Sequence, residues 1–325
     1  NSDIKAPSFV VRYLKKYFTV IHAKTNDILS MSENWDEGVS LALKQGAEYI
    51  CVLSDRRLPT LNLDKAFNIC SRSFKETYLV FDHQRTWING EQIIGPKYSG
   101  SIAHKDSSEI IEECLKCNFD GYMPRLFNCI VSKKFLNDLC DEFGSFVGGS
   151  APDINFQARV AFMRKHQYGV FDSPCITTNA RQVSHSNGTK LGNALKSVTK
   201  SEYFELSKPK SYPPDFEITT TGRCLGEILQ YSSPEFMAEN LNQTYFIKSI
   251  LMEISYPQSK EKHYKIKTIM AKYILDNHDD YSKLIDIMNA IQWSPSYEQR
   301  HPLDTSSHIT NAPLLDYISK VEVKQ

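Results

Sequence analysis

Three stretches of the 325-residue chain carry side chains that could do chemistry. The first is Ser54-Asp55-Arg56-Arg57, which follows the apolar run Tyr49-Ile50-Cys51-Val52-Leu53 and is closed by Leu58-Pro59. A short apolar run without alternation suits a strand buried on both faces, as in a parallel sheet. In open α/β sheets, ligands bind just outside the carboxyl ends of strands. An acid and two cations at that place suit a metal and a phosphate. Alternatively, an arginine neutralises a diphosphate directly through paired hydrogen bonds. A solvated turn has the same composition.

The second stretch runs from Gly144 through Gly148-Gly149 to Asp153. Adjacent glycines permit close backbone approach and unusual dihedrals. Asp153 then opens a helix with Ile154, Ala158, Ala161 and Phe162 on one side. Aspartate is also a favoured helix N-cap whatever the function. The third stretch is Gln182 to Gly188, where His185 stands in a polar loop. Imidazole binds metal or phosphate, and a lone loop histidine is more often simply solvated. Cys114 and Cys117 form a CxxC, but no second pair lies at zinc spacing, so core packing in an amphipathic helix is its expected role.

The elements that must position these residues follow from periodicity. Asn34 with Glu37 has capping-box spacing, and Trp35, Val39 and Ala42 mark one buried face of a helix that Gly46 ends. The pattern predicts helices over Pro7 to Tyr17 and Leu63 to Phe74, and strands over Phe18 to His22 and Tyr78 to Phe81. Asp82, His83 and Arg85 would stand at the end of that last strand. Asn89-Gly90 signals a hairpin. Cys129 to Val131 reads as a strand, and Ser132 as the cap of a helix through Phe135, Leu136 and Leu139. A further strand with its loop is expected around Pro174 to Thr178. Pro209, Pro213 and Pro214 mark a linker, after which helices are predicted over 222–231, 234–254, 260–275 and 281–291.

The run Leu29 to Trp35, the helix, Gly46, the strand and the acidic cluster together resemble family 2 nucleotide-sugar glycosyltransferases of the GT-A fold. The resemblance covers residues 1–190. It implies an α/β, GT-A-like (Rossmann-like) and mostly parallel sheet flanked by helices in residues 1–200, with a mainly helical carboxyl-terminal extension in 201–325. In such enzymes an Asp-rich motif holds a divalent metal, manganese or magnesium, against the diphosphate. Here Asp55 is the lone acid of that motif, and Arg56 and Arg57 are its neighbours. The resemblance places Asn34, Asp55, Arg56, Arg57 and Arg159 toward the substrate diphosphate and Asp55 and His185 toward the metal. Asp153 takes the place of the general base that deprotonates the acceptor. It also implies that the chain lacks the family's first βα unit, about 35–40 residues.

Acids and bases balance at 38 each, so no global field points to nucleic acid. Eight scattered cysteines read as reduced core residues of a cytoplasmic protein. The expected activity is inverting transfer of a sugar from a nucleotide-diphosphate donor to a hydroxyl of a glycan or lipid-linked acceptor. A binding protein of the same fold without turnover is the alternative. Lysines along 260–275 would allow peripheral membrane contact, although such a helix more often packs its apolar face on its own domain.

Overall fold

In a computed structural model of the chain, the described residues are 29–53, 57–86, 98–119, 122–149, 151–179, 220–255 and 260–277, with Thr19 and Ile21. The expectations for the helix over 7–17, the strand over 18–22, the Asn89-Gly90 hairpin, the proline linker and the helix over 281–291 lie outside them. So does the expectation of an absent first unit.

Helix α1, Met31–Lys44, starts one turn earlier than its sequence pattern predicts. Ser30 is the N-cap: its hydroxyl accepts from Glu33 N at 3.3 Å, and Glu33 Oε2 accepts from Ser30 N at 2.7 Å. Ser30 and Glu33 thus form their own capping box, which satisfies two otherwise orphaned amides. Asn34 is therefore a first-turn residue, its amide bonded to Ser30 O at 3.0 Å. Gly46 follows the helix with φ +85°, the left-handed end expected of it.

The strands are β1 (Tyr49–Ile50), β2 (Arg57–Pro59), β3 (Tyr78–Thr86), β4 (Ile102–Asp106), β5 (Cys129–Ser132) and β6 (Gln167–Asn179). They form one mixed open sheet in the order β1-β5-β3-β6-β2, with β4 also on β6. This α/β sheet is flanked by helices, but among the described residues it is not mostly parallel. Of the described strands, β3 and β6 pair in parallel, and the other four pairings are antiparallel. The apolar run at 49–53 misled because lack of alternation reports burial on two faces, not strand direction. Within that run Tyr49 and Ile50 pair with β5, and Cys51 to Leu53 are half-buried and belong to no described strand. The strand buried throughout is β5, inserted antiparallel between β1 and β3.

Helix α2, Asn62–Ser73, packs Ala66 and Cys70 against Leu79, Phe81, Ile130 and Phe171 of the sheet. Each large apolar side chain so buried contributes about 1.5–3 kcal/mol. A second aromatic cluster gathers on Tyr78, whose ring stacks on Tyr168 at 5.1 Å and meets Phe135 at 5.0 Å. The buried Tyr78 hydroxyl has its partner in His166 Nε2, 3.2 Å away. Helix α4, Lys133–Phe143, is capped by Ser132, as the sequence predicts, and ends at Gly144 with φ +77°. Helix α5 runs Pro152–Phe162.

The chain divides into two compact units. The first holds residues 1–106, 124–157 and 165–208, and with them the sheet. The second takes 107–123, 158–164 and 209–325. Its helices include α3 (Ser108–Leu115), α6 (Thr220–Leu229), α7 (Pro234–Asn240), α8 (Gln243–Ser255) and α9 (Lys260–Asn277). The single helix predicted over 234–254 is broken at Leu241-Asn242, where Asn242 Oδ1 accepts from Tyr245 N and starts α8. On α9, Ile266 and Met270 are fully buried while Tyr264, Lys265 and Lys272 are exposed. Those two apolar residues therefore serve the packing of the unit. No helix among the described residues is long and apolar enough to cross a membrane.

Candidate functional site

Asp153 lies in the first turn of α5, one residue after Pro152. It is not the N-cap. Asn155 N bonds to Ala151 O at 2.8 Å, so the helix opens at Ala151, and proline fills the first position, where its missing amide costs nothing. The Asp153 side chain is 25% exposed, and its Oδ2 stands 3.8 Å from Nη1 of Arg125. Arg125 is itself 18% exposed, and its guanidinium lies over the Phe127 ring at 5.7 Å. Its backbone is fixed as well, since Arg125 N donates to Asn128 Oδ1 at 2.7 Å. The result is a half-buried carboxylate beside a cation on a stiffened turn. Nothing in the sequence around Arg125 announces this role, because its partner is 28 residues away.

The glycine-rich approach to Asp153 is strapped to α1. Asp36 Oδ1 accepts from Phe146 N at 2.6 Å and from Val147 N at 3.3 Å. Ser32 Oγ contacts the carbonyls of both Gly148, at 2.9 Å, and Gly149. Asn155 Oδ1 accepts from Gly148 N at 2.8 Å. Gly149 has φ +66°, a conformation that favours glycine, and this explains one member of the pair. The start of α1, where Asn34 sits, and the start of α5, where Asp153 sits, are thus joined through residues 146–149. The Ser30-x-x-Glu33 spacing was the available signal for the α1 start; Ser32 and Asp36 carried none.

Asp55, Arg56 and His185 lie outside the described residues. Arg57 begins β2, with its Cα opposite Thr178 of β6, so it belongs to a strand rather than a turn. Arg159 is 5% exposed; its Nε donates to the Tyr231 hydroxyl at 2.7 Å within the second unit. Six residues apart on one helix, Asp153 and Arg159 point about 120° apart around the axis. Among the described residues, no group of three or more His, Cys, Asp or Glu side chains could hold a metal ion.

Asp82 does not end its strand, since β3 continues to Thr86. It sits where the β3–β6 register shifts, opposite Pro174, and its Oδ2 accepts from the Tyr98 hydroxyl at 3.0 Å. Asp172, on the β6 side of the same irregularity, accepts from Ser99 N at 2.8 Å. Burial, and then the hydrogen bond to Asp82, push the Tyr98 phenol up to about 12. Burial likewise pushes the thiols of Cys70 and Cys175 up to about 12. It does the same to Cys117 of the CxxC, with Cys114 adding to it. These are packed thiols, as the sequence suggests, and not thiolates poised to react.

No protein-family model matches this chain, and no curated protein matches it either.

Proposed function

We propose that the chain is an inverting glycosyltransferase that moves a sugar from a nucleotide-diphosphate donor to an acceptor hydroxyl, with Asp153 as the general base. The resemblance of residues 1–190 supports this reading. The observation that carries it is the Asp153–Arg125 pair at the end of a strapped glycine-rich segment. Such a reaction needs a base on the acceptor and positive charge on the leaving diphosphate. The acceptor hydroxyl gives its proton to the Asp153 carboxylate as its oxygen attacks the anomeric carbon. The bond from that carbon to the diphosphate breaks on the opposite face, which inverts the centre. The first turn of a helix favours negative charge, and so does a neighbouring guanidinium. Arg56 and Arg57 are the proposed cations for the diphosphate. A divalent ion at Asp55 would supply the same charge, and no step above is routed through it. The acceptor class proposed is a glycan or lipid-linked glycan.

The test is a panel of nucleotide sugars with the full chain, read by released nucleotide. Release that depends on donor and acceptor supports transfer. Binding of a donor without release would instead favour the non-catalytic reading. That reading has one observation in its favour, the engagement of Arg159 with Tyr231.

A further inference from the structure

Residues Phe146 to Gly149 are held at four consecutive positions by side chains of two helix starts. Asp36 accepts from the amides of Phe146 and Val147, the single Ser32 hydroxyl proton is shared between the carbonyls of Gly148 and Gly149, and Asn155 accepts from the amide of Gly148. Ser32 and Asn155 are buried, as are the Phe146 and Val147 side chains. Helix α5 begins three residues beyond Gly149. We propose that Asp36 is a positioning residue for Asp153; the proposal rests on the assignment of Asp153 as the base.

The physical argument concerns preorganisation. Two successive amides facing one carboxylate make charge-assisted hydrogen bonds, roughly twice as strong as neutral ones. Successive backbone amides of this kind commonly receive an external anion. Here the chain fills that position from its own helix. The segment is therefore set before any substrate arrives, and no ordering is left to be done at binding. Asn155 carries the constraint into the first turn of α5, two residues from Asp153. A base displaced by about 1 Å loses on the order of 10²-fold in rate. Asp36 Oδ1 is engaged by the amides of Phe146 and Val147, so Asp36 acts through the placement of Asp153.

The experiment uses the full chain carrying Asp36→Ala or Asp36→Asn, assayed well below the melting temperature. Amide hydrogen exchange is followed over 146–155 alongside kcat and KM. In Asp36→Ala, exchange should speed up at Phe146 and Val147 and also in the first turn of α5. The kcat should fall about 10- to 100-fold with KM nearly unchanged. Asp36→Asn keeps an oxygen that can accept both bonds and should restore most of the loss. A purely structural role predicts a lower melting temperature with wild-type kcat, and that result overturns the proposal. Faster exchange confined to 146–147 overturns it too. Should Asp36→Ala fail to fold, Ser32→Ala loosens the same segment from its carbonyl side and is read in the same way. A wild-type chain that releases no nucleotide from any donor sinks the transferase reading by itself. The exchange pattern over 151–155 then still decides whether Asp36 sets the start of α5.

Discussion

The Phe74 ring occupies the space above Gly169: a Cβ on that glycine would come within 2.4 Å of the ring's Cε2 and Cζ and 2.6 Å of Leu79 Cδ1. Gly169 stands on β6 between Leu79 of β3 and His104 of β4, and the Phe74 ring continues over His104 at 4.9 Å between centroids. Phe74 and Leu79 are both buried, so neither can swing into solvent. Glycine is required here for space and not for its backbone freedom. Gly169→Ala should lower stability by about 1–3 kcal/mol, the usual cost of overpacking. Urea unfolding measures it, and adding Phe74→Leu should recover part of the loss as a coupling energy. An unchanged midpoint in Gly169→Ala would refute the account.

Asp153 gives a prediction that separates chemistry from folding. Since Ala151 rather than Asp153 opens α5, replacing the aspartate removes no cap. Asp153→Asn should therefore leave the melting temperature close to wild type, with at most about 1 kcal/mol lost from the pair with Arg125. Transfer should drop by ~10²–10⁴-fold, the usual contribution of a general base. Donor binding should hold. Full turnover in this variant would remove Asp153 from the mechanism.

Tyr98 gives a prediction about alkaline pH. Its folded phenol is raised from 10.0 to about 12, by burial first and the Asp82 hydrogen bond second. The unfolded chain releases that proton near pH 10, while the folded chain keeps it. The contribution to stability is thus whole below pH 10 and disappears as pH rises from 10 toward 12. Phenolate absorbance should show late-titrating tyrosines, one of which Tyr98→Phe removes; Tyr78, whose phenol burial also raises well above 10.0, remains in that variant. Asp82→Asn removes the adjacent charge, and the Tyr98 step should move back toward pH 10. A Tyr98→Phe chain with an unaltered late step would mean that another phenol is responsible.

What the sequence revealed depended on the range of the interaction. The pattern of α2 and the first part of β3 is local, and the structure has both within a residue at their starts. The Ser132 cap and the end of α1 at Gly46 are likewise written in adjacent residues. Strand direction is not. Cys129 to Val131 reads as a buried strand either way, and only its partners Tyr49 to Ile50 and Tyr78 to Val80 make it antiparallel. Strand β4 escaped notice because Ile102 is its one large apolar residue, 43% exposed, and His104, Lys105 and Asp106 are polar. At the candidate site, Asp153 is singled out by a local glycine pattern. Asp36 meets its partners 110 residues along the chain, and no local spacing encodes that.

One consequence of the sheet order concerns the growing chain. Strand β3 finds its parallel neighbour β6 only after about 90 further residues have been made, some 5–20 s at ordinary rates of synthesis. Its other neighbour, β5, is also late, emerging more than 40 residues behind it. For that interval Tyr78 to Phe81, all of them buried at the end, have no strand on either side. A nascent chain stalled before residue 129 should therefore be prone to aggregation and a ready client for chaperones, whereas one released beyond residue 179 has the strands needed to close both edges of β3.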